Sequence, residues 1–243
     1  MELQMGNNEA AIENFQAALT MGEALGDEGA DLVANCKKAI ASATLSMAKD
    51  LYNAKDFEGA AAAFVKAKEV AEGYGETEIA EEAAELVNQA NALKFNTEGK
   101  AAMKAKDFPT AISCFTKVLE LDPTNGATAV QLGQAYMNAG QLDEAITALE
   151  NAMANGQEKN AAKILSNVYL KKAQASNKAK NYQEVIDFAA KSNEALENGN
   201  AYKLTASALQ KLGKNAECIA AYEKYLEVTP NAKDAGGIIC TIA

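Results

Sequence analysis

Along the chain the apolar positions recur in one phrase. A short polar turn leads into an aromatic or leucine, and small and large apolar residues follow at three- and four-residue steps. Asp56-Phe57 followed by Ala60, Phe64 and Ala67 is one copy, and Asp107-Phe108 followed by Ala111, Phe115 and Val118 is the next. Leu142, Ala145, Leu149 and Ala152 form a third. Ala11, Phe15 and Ala18 open the series, Cys218, Tyr222 and Tyr225 close it, and Tyr182, Val185 and Ala189 are a weaker copy between them. These steps put the apolar side chains on one face of an amphipathic helix.

A second element precedes each copy. Twelve residues before its small residue stand Ala48, Gly99, Gly133, Ala173 and Ala206. All are small, as a tight crossing of two helices requires. The predicted unit is therefore a pair of antiparallel helices, touching through Gly or Ala on the first and a small residue on the second.

This pattern resembles the tetratricopeptide repeat (TPR) family over nearly the whole chain. The best copy is 126–159, with Leu132-Gly133, Tyr136, Gly140 and Ala145 at the family's spacings. It follows 92–125, which ends in Asp122-Pro123; 199–232 is another copy, with Pro230 in the corresponding place. The family's Trp is missing throughout, and its first-helix Tyr survives only as Tyr136. The resemblance implies an all-α fold: a right-handed superhelical solenoid of antiparallel helix pairs with about 11–12 helices.

Two units are longer than the family's 34 residues, because the small residues at 11, 60 and 111 are separated by 49 and 51 positions. Gly26-Asp27-Glu28-Gly29 and Gly73-Tyr74-Gly75-Glu76 read as turns. The segments after them, 30–53 and 77–104, lack breakers except Gly99, which predicts two extended first helices. The acids at their starts (Asp27, Glu28 and Asp31, then Glu76, Glu78, Glu81 and Glu82) suit the positive end of a helix dipole better than a metal loop. The expected organisation is one solenoid over 1–243: a half-repeat at 1–26, extended repeats at 27–75 and 76–125, repeats at 126–159, 160–198 and 199–232, and a closing helix over 233–243. The chain is expected to begin in the second helix of a repeat, with 1–5 left of that helix's partner.

Composition narrows the function. The chain has no His, no Trp and no Arg, so it holds no imidazole base or ligand and no guanidinium fork for phosphate. Catalysis, a cofactor and a metal site are not expected. A formal net charge of −10 disfavours nucleic acid. No run reaches the roughly 20 apolar residues of a membrane span, and 1–10 has neither the basic region nor the apolar core of a signal peptide. A soluble protein is expected, cytoplasmic or, with a leader removed upstream, periplasmic. The four cysteines, Cys36, Cys114, Cys218 and Cys240, are far apart and read as buried or unpaired thiols.

What remains is binding. The resemblance implies a groove lined by the second, fifth, ninth, twelfth and thirteenth positions of each first helix. None of these twenty-five positions is acidic, where roughly three would be by chance; six are Lys and nine are Asn or Gln. The candidates are Lys49, Asn53, Asn96, Lys100, Lys104, Gln134, Asn138, Gln174, Asn177, Lys178, Lys203 and Lys211. Such a lining suits carboxylates and peptide groups, so the expected partner is an acidic or carboxylate-bearing segment of a protein. The bland alternative is that lysines near helix ends answer the dipole alone. The family's specific clamp on C-terminal carboxylates also uses an Arg and a ninth-position Asn, both missing here. A second class of function is assembly through the open ends of the solenoid, with another protein or a second copy.

Overall fold

The computed structural model describes residues 2–235 and 238. They form eleven α-helices and no strand among the described residues: α1 (Glu2–Ala24), α2 (Ala30–Asn53), α3 (Phe57–Tyr74), α4 (Thr77–Ala105), α5 (Phe108–Leu121), α6 (Gly126–Ala139), α7 (Leu142–Ala154), α8 (Glu158–Lys178), α9 (Tyr182–Ala195), α10 (Gly199–Lys211) and α11 (Asn215–Val228). A single 3-10 turn, Gly26–Gly29, joins α1 to α2. The chain divides into two compact units, Met1–Glu98 and Gly99–Ala243.

In the first unit α1, α2, α3 and the first part of α4 pack in sequence. Ala48 of α2 and Ala60 and Phe64 of α3 are buried in one cluster with Ala83 and Ala90 of α4. Lys94 reaches back to Glu58 at the start of α3, which fixes α3 and α4 as antiparallel. The expected extensions are present, α2 with 24 residues and α4 with 29. One expectation fails at the N-terminus. Residues 2–5 are the first turn of α1 itself and not a remnant of another helix. Gly6 lies inside that helix, where it costs about 1 kcal/mol relative to Ala without breaking it.

In the second unit the crossings named by the sequence are as tight as predicted. A Cβ placed on Gly99 would lie 2.7 Å from the Phe115 ring, and one on Gly133 would lie 2.6 Å from Leu149. Ala145, Ala173 and Ala206 are fully buried at corresponding crossings. Phe64 and Phe115 are core residues, whereas Phe57 and Phe108, first in their helices, are half-buried. Turn chemistry repeats too. Asp56, Asp107 and Asn125 cap α3, α5 and α6 by accepting from Gly59, Thr110 and Thr128 backbone N–H groups. Before them, Lys55 and Lys106 hold φ of 64° and 61°, the left-handed conformation that Gly140 and Gly213 adopt in the later turns. The expected closing helix over 233–243 lies outside the described residues apart from 233–235 and 238, as does Cys240. Cys36, Cys114 and Cys218 are buried and free of disulfides.

Candidate functional site

First helices touch one another in the second unit: α6 contacts α8, and α8 contacts α10. Ala102 of α4 shares a core cluster with Leu132 and Ala135 of α6. Their outer faces therefore follow one another as a series. On these helices Lys100, Lys104, Lys178 and Lys211 are exposed and make no ion pair with any described residue. Lys104, Lys178 and Lys211 stand in the last turns of α4, α8 and α10. Unsatisfied carbonyls there favour a cation, so each ammonium also answers its own helix. Among the amides, Gln174 is exposed and Asn177 half-buried. Gln134 donates from Nε2 to Asn138 Oδ1 at 3.2 Å, so this pair already uses one donor and one acceptor on itself.

Two candidate lysines are engaged. Lys203 on α10 meets Asp234 Oδ2 at 2.5 Å, while the Tyr225 hydroxyl donates to Asp234 Oδ1 at 2.8 Å. The Lys203 hydrogen bond, with Tyr225 second, holds the Asp234 carboxyl below its ordinary range. The same bond raises the Lys203 ammonium, outweighing burial. In the first unit Lys49 pairs with Glu82 at 2.6 Å. Asn53 is exposed at the end of α2, and Asn96 buries an amide oxygen that finds no donor among the described residues.

Elsewhere some lysines, such as Lys38, Lys66 and Lys163, are likewise exposed and without an ion pair among the described residues, and others are engaged. Lys94, Lys172 and Lys224 are paired with Glu58, Asp143 and Glu227. Lys172 also lies 5.0 Å from the centroid of the Phe188 ring. Sequence reasoning missed Asp234, since nothing in the spacing places 233–235 beside α10. It also passed over a cleft in the first unit, although an apolar face on α1 was readable. Among the described residues no group of three His, Cys, Asp or Glu could hold a metal, and no helix is long and apolar enough to cross a membrane.

Tetratricopeptide-repeat family profiles match residues 102–168 and 201–232. These two stretches carry tetratricopeptide repeats. The chain's repeats are similar to those of the Hsp70-Hsp90 organizing protein of Triticum aestivum, at 33% identity over 103 residues. That match spans 40% of this chain and 18% of the relative. The Hsp70-Hsp90 organizing protein 3 of Arabidopsis thaliana is 34% identical over 67 residues, covering 28% of this chain and 12% of that one. The chain thus spans less than a fifth of the length of these curated relatives. Among solved structures, a crystal structure of MamA protein aligns at 24% identity and a TM-score of 0.45, over 63% of this chain and 80% of that one. The first TPR of Spaghetti, bound to the HSP90 peptide SRMEEVD, aligns more loosely, with a TM-score of 0.28.

Proposed function

We propose that this chain is a non-catalytic protein-binding scaffold. Its second unit holds an extended acidic or carboxylate-bearing segment of a partner against the outer faces of the α4 end, α6, α8 and α10. The observation that carries this reading is the acid-free lining, with Lys100, Lys104, Lys178 and Lys211 left unpaired in a chain of net charge −10. Lysines supply steering and point contacts, while Gln174 and Asn177 hydrogen-bond peptide groups. A related repeat protein holds the acidic peptide SRMEEVD, and relatives are named as organisers of Hsp70 and Hsp90. Here the absence of Arg implies modest, salt-sensitive binding, because an ammonium is a point charge and not a two-pronged donor. The twelve candidates divide accordingly: Lys203 and Lys49 start neutralised, and the four open lysines carry the charge.

The test is the triple variant Lys100→Glu, Lys178→Glu, Lys211→Glu. All three sites are exposed, so helicity by circular dichroism should stay unchanged while capture of acidic protein segments at low salt is lost. Capture of the same partners by the variant would remove the groove from the account.

A further inference from the structure

The first unit contains a trough of about 420 Å³ that the first-helix faces do not share. Its floor is α2, where Met47 and Leu51 are half-buried and Thr44 lies between them and the buried Ile40; its walls are α1, with Ile12, and α3, with Val70. From Ile40 to Leu51 the floor runs about 16 Å, or three helical turns. Both walls and the floor are helices whose backbone groups are already bonded internally, so an extended peptide would find no main-chain partners there. A helix brings its own backbone satisfied and needs only an apolar stripe at i, i+3, i+4 and i+7 to fill such a trough.

Charge orients the occupant. The α1 sequence contains four glutamates and no basic residue. Two of them, Glu9 and Glu13, lie one turn apart along the trough, exposed and without an ion pair among the described residues. Lys66, on the α3 wall, is likewise exposed and unpaired. One edge of the trough is thus negative and the other carries a single cation.

We propose that the α1–α2–α3 trough docks a three-turn amphipathic helix of a partner protein, with its apolar face on α2 and a Lys- or Arg-bearing edge along Glu9 and Glu13. This site is separate in residues and in charge from the lysine-lined faces, so either assignment stands if the other falls.

The probe is a fluorescent peptide of about 14 residues made of Leu and Lys, with Leu at helical stripe spacing, against a scrambled peptide of the same composition. Anisotropy titrations use the full chain, Ala63→Phe, which narrows the trough from its α3 wall, and Glu9→Lys combined with Glu13→Lys, which reverses its edge. The helical probe should bind at least about tenfold tighter than the scrambled one, and each variant should weaken it by about tenfold with its thermal melt intact. If Ala63→Phe melts early, the exposed glutamate pair decides alone. Equal binding of the scrambled peptide would show attraction by charge only and overturn the proposal. So would self-association of the chain that Ala63→Phe abolishes, which assigns the trough to a second copy, or uptake of a small apolar dye without peptide binding.

Discussion

Between residues 99 and 243 the lining positions read from the first helices hold amides and lysines and no acid, whereas the trough of the first unit sets Glu9 and Glu13 beside half-buried apolar side chains. Both surfaces come from the same helix-pair grammar. They differ in which side of the pair is left without a neighbour and in which charges remain unanswered there. The lysine face offers unpaired cations and amides, so the attraction proposed for it is electrostatic and screened within about 8–10 Å at ordinary salt. The trough offers buried apolar area, which salt does not weaken, and uses its glutamates for orientation. A net charge of −10 therefore says little about either surface; the pairing state of individual side chains decides.

The largest effect that sharpens this contrast concerns the scaffold of the lysine face. Gly133→Leu forces a side chain where even a Cβ would sit 2.6 Å from Leu149, and should destabilise the protein by about 3 kcal/mol. An unchanged thermal melt would break the repeat register on which the face depends. Salt comes next. Raising ionic strength tenfold should weaken an acidic probe on the lysine face by about an order of magnitude, while the Leu/Lys helix on the trough loses only about twofold. Equal losses would erase the distinction between the two.

A smaller effect tests the turns. Lys106 pays for a left-handed φ of 61° that Gly140 adopts freely, so Lys106→Gly should raise stability by about 0.5–1 kcal/mol in denaturant melts. The smallest concerns the one lysine on the face that is already answered. Asp234→Asn should slightly lower the melting temperature at neutral pH. Because the Asp234 carboxyl is held below its ordinary value, its contribution is present above about pH 4 and is lost as pH falls through the depressed value. The melting difference between variant and wild type should therefore shrink on acidification; a difference that grows instead would contradict the Lys203–Asp234 assignment.

Much of the fold was legible because its determinants are local. The three- and four-residue steps gave helix faces, the glycines and Asp caps gave the turns, and the small residues at 48, 99, 133, 173 and 206 gave the crossings. Even the long segments 30–53 and 77–104 matched α2 and α4 to within a residue, since neither holds a breaker except Gly99, which α4 accommodates. The turn read at Gly73-Tyr74 was placed early: Gly73 is tolerated inside α3, and Gly75, at φ 78°, ends it. The site was less legible. Spacing put Lys203 and Lys49 on the same footing as Lys178, but ion pairing depends on residues far along the chain, Asp234 and Glu82, whose approach no periodicity encodes. The trough escaped for a similar reason. Ile12, Met47 and Val70 look like ordinary core positions until three helices are seen to leave a channel between them.

The central claim is that the acid-free faces of the second unit hold acidic protein segments. Its most direct test is a backbone NMR titration of the full chain with a short Glu-rich peptide at low salt. The account predicts shifts concentrated in the last turns of α4, α8 and α10, around Lys100, Lys104, Asn177, Lys178 and Lys211, and their reversal when salt is added. Shifts confined to α1–α3, or none at peptide concentrations that saturate a modest site, would contradict it.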